Sequence, residues 1–179
     1  WGNRGPDQAL PHCQEAVKRD PGESRYKVRL ARVLVDFGDS RAALNLLRDL
    51  KPQGPLIDRV FFLWARGWAQ MGLQEGILDM SQARMLILND NPDSEFLAIA
   101  DYNLGMAFKT SGNVALATEA LQRALQRQTG LVPATGNYGE YLFYLGKILY
   151  ALGQREEADK VKADLLSRDP TRYEYQHLN

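Results

Sequence analysis

The side chains best suited to catalysis or metal binding are few in this chain and scattered along it. The two histidines, His12 and His177, lie near opposite ends, and the single cysteine is Cys13. Catalytic and metal sites place such groups at fixed spacings, such as two histidines one helical turn apart, paired cysteines, or a glycine-rich loop ending in lysine. None of these spacings occurs in the sequence. The sequence therefore predicts no enzyme, with no catalytic residue, no metal site and no cofactor.

Other residues that attract attention have simpler structural explanations. Cys13 falls at an apolar position of a helical pattern, where a thiol packs as a small hydrophobic side chain. Glu156 and Glu157 stand early in a predicted helix, where the helix dipole favours negative charge. Trp64 and Trp68 are one helical turn apart, a spacing more typical of a core or groove wall than of a cofactor site. We expect these residues to support the fold.

The overall charge limits the classes of partner. The 22 Lys and Arg residues balance the 22 Asp and Glu residues, so bulk electrostatics predicts neither nucleic-acid binding nor attraction to an anionic membrane. No apolar run is long enough to span a bilayer, so we expect no membrane insertion. A single cysteine cannot form an internal disulfide, so it does not distinguish the cytoplasm from the periplasm. We expect a soluble chain in one of these two compartments.

Four segments share one pattern, in which a large residue is followed by a small one, another large residue and then a glycine. They are Leu30-Ala31-x-x-Leu34-x-x-x-Gly38, Trp64-Ala65-x-x-Trp68-x-x-x-Gly72, Leu104-Gly105-x-x-Phe108-x-x-x-Gly112 and Leu145-Gly146-x-x-Leu149-x-x-x-Gly153. The first two glycines are 34 residues apart, and the later gaps are 40 and 41 residues. Such a recurrence predicts stacked repeats of one supersecondary unit.

A second helical pattern follows each glycine and completes the unit. Its spaced positions are Ala43, Leu47 and Leu50; Ile77, Ser81 and Arg84; Ala117, Leu121 and Ala124; and Ala158, Lys162 and Leu165. A half-unit with Ala9, Cys13 and Ala16 precedes them, and Asp-Pro steps follow at 20–21 and 169–170. Small residues let paired helices approach, glycine supplies the positive φ that ends the first helix, and proline stops the second.

With these residues in register, the chain resembles the tetratricopeptide-repeat (TPR) family over roughly residues 7 to 170. The resemblance implies an all-α fold, a right-handed superhelical solenoid of stacked antiparallel helix pairs with about 4.5 TPR-like repeats. Two features depart from the family pattern. Lys27 stands where unit two has the aromatic Phe61, and the linkers after units two and three exceed the 34-residue period. The alternative is an irregular bundle of α-hairpins.

The predicted organisation is a single domain over 1–179. Its parts are a half repeat at 6–23, repeats at 24–57, 58–93, 94–137 and 138–170, and a tail or cap at 171–179. Helices are predicted near 7–19, 24–37, 40–51, 57–71, 74–89, 94–111, 113–128, 138–152 and 154–167, with loops at 90–93 and 129–137. Asp39, Asp93 and Asn113 are predicted N-caps. Because the chain begins at Trp1 in mid-repeat, we expect it to be a piece of a longer protein.

In the TPR family the first helices line a concave groove that holds a peptide or a helix. The positions that should face it here form an aromatic stripe flanked by a basic column. They are Arg25, Val28, Arg32, Arg59, Phe62, Arg66, Tyr102, Asn103, Met106, Lys109, Phe143, Lys147 and Tyr150. Such a surface suits a partner with acidic and apolar anchors. In the alternative interpretation, Phe62, Tyr102 and Phe143 belong partly to the core, and the basic column is a solvated face.

One TPR subclass binds the acidic C-terminal tails of chaperones through a clamp of Lys and Asn residues. The matching positions here carry Val28, Arg32, Leu63, Ile99 and Asn103. Only Asn103 fits the clamp, so the sequence predicts that this mode of binding is absent.

The sequence thus predicts a non-enzymatic scaffold or adaptor that binds a protein or peptide, with no nucleic acid as partner. Three alternatives stay open: self-assembly through the open N-terminal end, RNA binding by helical repeats, and a regulatory segment of a larger protein. The Gly-Asp and Gly-Asn turns after Ala- and Leu-rich helices have a bacterial style. By family analogy, that style suggests a bacterial multiprotein or envelope assembly.

Overall fold

The computed structural model describes residues 6–131 and 138–179, and within these two ranges every regular element is a helix, without strands. The helices are α1 (Pro6–Arg19), α2 (Ser24–Asp36), α3 (Ser40–Leu47), α4 (Leu56–Ala69), α5 (Gln74–Asp90), α6 (Phe96–Thr110), α7 (Val114–Gly130), α8 (Tyr138–Ala151), α9 (Arg155–Arg168) and α10 (Tyr173–Gln176). The all-α prediction is confirmed. The short α10 lies in the tail that was predicted to cap the array.

The helices form successive antiparallel pairs, α2 with α3, α4 with α5, α6 with α7, and α8 with α9. The first helices of these pairs also pack on one another in order, α2 on α4, α4 on α6, and α6 on α8. α1 packs on α2 and occupies the place of a second helix. Contacts therefore run between neighbouring pairs, as in a solenoid, rather than around one shared centre.

A glycine with positive φ lies between the two helices of each pair, as predicted. These are Gly38, Gly72, Gly112 and Gly153, with φ of 81°, 91°, 81° and 79°. Two of the predicted N-caps follow such glycines and are confirmed. The Asp39 carboxylate accepts a hydrogen bond from the Ala42 amide at 3.0 Å, and the Asn113 side-chain oxygen accepts one from Leu116 at 3.3 Å. Glycine ends the first helix, and the polar cap begins the second.

The prediction of Asp93 as an N-cap is wrong. The amide of Asp93 donates to the Asn91 side chain at 3.0 Å, which holds Asp93 in a turn before the helix. α6 begins only at Phe96, whose amide donates to the Ser94 hydroxyl at 3.3 Å. The third helix also ends earlier than predicted, at Leu47 rather than near residue 51.

The long gaps between the later units are explained by longer second helices. α5 and α7 have 17 residues each, against 8 in α3. The predicted loop at 129–137 begins only after Gly130, where α7 ends, and residues 132–137 lie outside the described part of the chain. Most of the extra length at α5 therefore extends a helix rather than a loop.

Small residues allow the close packing of each pair. A Cβ on Gly105 would lie 2.7 Å from Cγ of Leu121, so α6 and α7 approach at that point as only glycine permits. The core consists of successive clusters between neighbouring pairs. The last one contains Leu142, Leu165, Tyr175 and Leu178, and it places the tail as the final layer of the stack.

Candidate protein-binding groove

The first helices and the C-terminal segment enclose one large concave cavity. Its volume is about 1380 Å³, and residues of α2, α4, α6, α8 and α10 line it. We call this cavity the groove. Its volume exceeds the roughly 300–1,000 Å³ typical of small-molecule pockets.

Eight of the thirteen predicted groove residues line this cavity. They are Arg25, Val28, Arg32, Phe62, Tyr102, Asn103, Phe143 and Lys147. They come from four helices, and the first and last of them, Arg25 and Lys147, are 122 residues apart in the sequence. The stacking of first helices brings them together.

The other five predicted residues lie outside the cavity lining. They are Arg59, Arg66, Met106, Lys109 and Tyr150. Three of them make contacts elsewhere that hold their polar ends. Arg66 pairs with Asp79 of α5 through two contacts of 2.6 Å. The Lys109 ammonium donates to the Ala151 carbonyl at 2.9 Å, and the Tyr150 hydroxyl donates to Asp159. The basic column is therefore interrupted at units two and three.

The floor of the groove is aromatic, and part of it is core. Phe62 is 2% exposed and Tyr102 is 6% exposed, so the alternative interpretation of these two rings as core residues is right about their burial. Phe61 was not predicted to line the groove, although it is 45% exposed and does so. Trp68 and Tyr144 also line it. The repeat pattern alone does not show that these three rings face the groove, because that depends on the superhelix, which brings α2 and α8 to one cavity.

Several cations of the lining have acidic partners. Arg32 pairs with Asp36 at 3.0 Å, and its guanidinium lies 4.9 Å from the centre of the Trp68 ring. Arg25 pairs with Glu23 at 2.8 Å. Arg172 pairs with Glu174 at 3.3 Å. These arginines carry charge at the groove, but their charges are already balanced locally.

Lys147 differs from these arginines because it is half-buried among aromatic rings. Its ammonium lies 5.2 Å from the centre of the Tyr102 ring and 5.4 Å from that of Phe143. Among the described residues it has neither a hydrogen bond nor a carboxylate at ion-pair distance. Burial, with a smaller effect of Arg32, lowers the pKa of Lys147 to about 8. The ring faces offset part of the lost hydration.

Neutral polar groups lie around the same part of the groove. Burial raises the pKa of Tyr102 to about 12 and also raises the pKa of Tyr144, so both hydroxyls keep their protons at neutral pH. Asn103 is 5% exposed, and its side-chain amide has no hydrogen bond to another described residue. The Tyr102 and Tyr144 hydroxyls and the Asn103 amide thus place neutral donors and acceptors at the groove.

The described residues include one free cysteine and no cluster of metal-binding side chains. Cys13 is half-buried at the groove, and burial raises the pKa of its thiol, which opposes nucleophilic reactivity. Residues 6–131 and 138–179 contain no group of three His, Cys, Asp or Glu side chains arranged to hold a metal ion. None of the helices in these ranges is long and apolar enough to cross a bilayer.

Comparisons with known proteins agree with this architecture. Two models of the tetratricopeptide repeat match residues 3–59 and 99–168, which together make up more than two thirds of the chain. The chain is also similar to the crystal structure of the nearly identical TPR-like repeats of a kinesin light chain candidate from Podosopora anserina. The TM-score is 0.53 at 17% identity, covering 90% of this chain and 86% of that one.

A single-substitution variant of the same Podosopora repeats gives a TM-score of 0.54 at 18% identity, covering 90% of this chain and 85% of that one. At this identity the likeness concerns the fold alone. A comparison with curated protein sequences found no match. The repeat models and the stacked helix pairs lead to one conclusion: the chain belongs to the tetratricopeptide-repeat family, whose solenoids generally mediate protein–protein interaction without catalysis.

Proposed function

We propose that this chain is a non-enzymatic scaffold or adaptor that binds a peptide or helix of a partner protein in the groove. The observation that carries the proposal is the cavity of about 1380 Å³ formed by α2, α4, α6 and α8. Aromatic and basic side chains from all four helices line it, and these are the residue types that dominate binding energy at protein interfaces.

The lining favours a partner that combines apolar and acidic side chains. Phe61 offers an exposed ring, and Val28 is half-buried beside the arginines of α2. An apolar side chain inserted there would bury area at about 25 cal/mol per Å². Arg25 and Arg32 would contact carboxylates at the rim through bidentate hydrogen bonds, in exchange with their present partners. An adaptor of this kind fits a bacterial multiprotein assembly or a regulatory segment of a larger protein equally well.

Self-association through the N-terminal end receives less support from the structure. The strongly exposed large apolar residues of the described chain include Phe37, Leu78 and Val114, but none of them belongs to α1. An incomplete repeat that stacks on another copy would need such a surface on its outer helix. The groove is therefore the better candidate for the main interaction.

The proposal is tested by selecting peptides from an unbiased random library against the whole chain. The affinity of each selected peptide is then compared between wild type, Phe61→Ala and Leu78→Ala. Phe61 and Leu78 are matched, since both are exposed apolar residues in first and second helices, at 45% and 58% exposure, and only Phe61 lines the groove.

We expect Phe61→Ala to weaken binding about tenfold or more, a change typical of removing an aromatic interface residue, and Leu78→Ala to leave it unchanged. The opposite pattern, in which peptides depend on Leu78 and not on Phe61, would reject the groove as the binding surface. A parallel filter-binding assay with single-stranded RNA should show no salt-dependent retention.

A further inference from the structure

A second group of charged side chains lies outside the groove. Asp101 of α6 is fully buried, and three arginines contact its carboxylate. Arg84 comes from α5, and Arg123 and Arg127 come from successive turns of α7. None of these four residues lines the groove. We call Arg84, Arg123 and Arg127 the arginine cluster, and it joins two second helices of neighbouring units.

The arginine cluster holds more positive charge than its acidic partners balance. Three arginines against Asp101 leave an excess of two positive charges. Glu119 reduces this excess to one, because it accepts a hydrogen bond from Nη1 of Arg123 at 2.6 Å. The Glu119 side chain is 65% exposed, so its pair with Arg123 is weak and open to exchange. A buried carboxylate that only stabilised the fold would need fewer cations around it.

The same arginines keep hydrogen-bond donors for another acceptor. Each contacts Asp101 through its Nε atom, at 2.6 Å for Arg84, 3.3 Å for Arg123 and 3.1 Å for Arg127. Within residues 6–131 and 138–179, the Nη groups of Arg84 and Arg127 have no acceptor. The exposed fractions of the three side chains are 18%, 34% and 34%, so they are partly desolvated and still accessible. Partly desolvated donors gain more from an anion than fully hydrated ones.

A phosphate monoester matches these features better than a carboxylate does. It carries nearly two negative charges and three strong acceptor oxygens, which suit the charge excess and the vacant Nη groups. The planar fork of arginine binds phosphate oxygens through paired hydrogen bonds. A nucleic acid fits less well, because the chain has 22 basic and 22 acidic residues and so no overall attraction to a polyanion.

We propose that the arginine cluster is a binding site for a phosphate monoester. Asp101 fixes the guanidinium groups through their Nε atoms, and the Nη groups of Arg84 and Arg127 donate to the phosphate oxygens. Arg123 joins them when it exchanges Glu119 for the phosphate. The phosphate is either carried by a serine or threonine of a partner protein or belongs to a small free molecule. The site is separate from the groove, so it goes beyond the proposed function.

The test titrates the whole ¹⁵N-labelled chain with N-acetyl-O-phosphoserine methylamide and follows the Nε–Hε NMR signals of the arginines. Inorganic phosphate is the second probe, since it offers the phosphate without peptide groups. The controls are N-acetyl-serine methylamide and N-acetyl-aspartate methylamide, all at equal ionic strength. Arg168 is the internal reference, because it stands in the last turn of α9 as Arg127 stands in the last turn of α7.

We expect the phosphoserine probe to move the signals of Arg84 and Arg127 with saturation, while Arg168 stays in place. Tighter binding of this probe than of inorganic phosphate would support a phosphorylated protein as the source, and the reverse order would support a small free phosphate. The absence of a saturable shift with both phosphate probes would overturn the proposal. An equal response to the aspartate probe would overturn it too, because the cluster would then not distinguish phosphate from carboxylate.

Variants of one arginine give a second readout. Arg127→Gln should weaken binding of the phosphoserine probe about tenfold or more, since it removes a charge and a pair of charge-assisted donors. Arg127→Lys keeps the charge without the fork and should bind with intermediate affinity. Arg168→Gln is the matched control and should bind as wild type does, and circular dichroism verifies that each variant is folded. Equal affinities of Arg127→Gln and Arg168→Gln would reject the cluster as the site.

The phosphate site and the groove can be tested independently of one another. Phe61→Ala should bind both phosphate probes as wild type does, because Phe61 lines the groove and the arginine cluster does not. If Phe61→Ala lost phosphate binding while it stayed folded, the phosphate would be located in the groove and the proposal would be wrong.

Discussion

Asp101 of α6 is fully buried, and its carboxylate accepts a hydrogen bond from Arg84 of α5 at 2.6 Å. Arg123 and Arg127 of α7 also contact this carboxylate, at 3.3 Å and 3.1 Å. One acidic side chain thus joins three helices from two neighbouring units. The three arginines lie in the parts of α5 and α7 that extend beyond the length of α3. The contact is therefore found in the units that exceed the 34-residue period.

Replacing this carboxylate should destabilise the chain strongly. Asp101→Asn leaves the partly buried guanidinium groups of Arg84 and Arg127 without a counter-charge, while Arg123 keeps its pair with Glu119. We expect the free energy of unfolding to fall by about 2–4 kcal/mol. The control is Asp164→Asn, which removes an exposed pair with Arg168 within α9 and should change stability by less than about 1 kcal/mol. Urea unfolding followed by circular dichroism measures both, and equal effects would contradict the assignment.

The close approach of α6 and α7 predicts a steric effect at Gly105. An added Cβ would lie 2.7 Å from Cγ of Leu121 and 2.9 Å from Cδ2, so Gly105→Ala forces the helices apart. We expect a loss of roughly 1–3 kcal/mol despite the better helix propensity of alanine. Gly130→Ala is the control, because a Cβ at Gly130 meets nothing within 4 Å. A more stable Gly105→Ala would show that the packing is looser than described.

The lowered pKa of Lys147 predicts a stability change that depends on pH. Below pH 8 the lysine is charged in both states, and only the folded state carries the penalty of burying it. Lys147→Met should therefore raise the free energy of unfolding at pH 7, on the order of 1–2 kcal/mol. Between the folded pKa of about 8 and the ordinary value of 10.5 the penalty is relieved, so the advantage should shrink.

Unfolding in urea at pH 7 and at pH 9.5 gives the difference between wild type and Lys147→Met directly. An advantage that stays the same at both pH values would mean that the lysine is not desolvated. Met is a suitable replacement because it keeps the length of the side chain and fits an aromatic surrounding.

The tail is predicted to stabilise the last pair. Leu178 is buried against Leu142, Leu165 and Tyr175, and the Lys162 ammonium donates to the Leu178 carbonyl at 2.8 Å. Leu178→Ala should lower the free energy of unfolding by about 2–3 kcal/mol. Amide exchange in α8 and α9 should rise more than in α2 and α3. Uniform exchange across the chain would indicate that the tail does not act as a local cap.

The sequence predicted the repeat and its turns because each depends on local residue types. The positive φ of Gly38 and the cap at Asp39 follow from short-range geometry, and both were correct. It failed at Asp93, because the competing hydrogen bond to Asn91 is not apparent in a cap pattern. Local patterns therefore describe the helix pairs well and their loops less well.

The composition of the groove was less predictable, because it depends on contacts between units. Arg66 has the same register position as Arg32, yet its charge is held by Asp79 of α5 outside the cavity lining. Phe61 was treated as a repeat position, and the structure places its exposed ring at the groove. The sequence of a single repeat does not indicate which side chains of other helices will pair with its own.

The most direct test of the central claim is a map of backbone amide shifts on binding a library-selected peptide. The account predicts that the largest changes fall in α2, α4, α6 and α8, with those at Val28, Tyr102 and Lys147 among them. α3, α5, α7 and α9 should change little. Changes concentrated on these second helices, with the groove residues unmoved, would contradict the account.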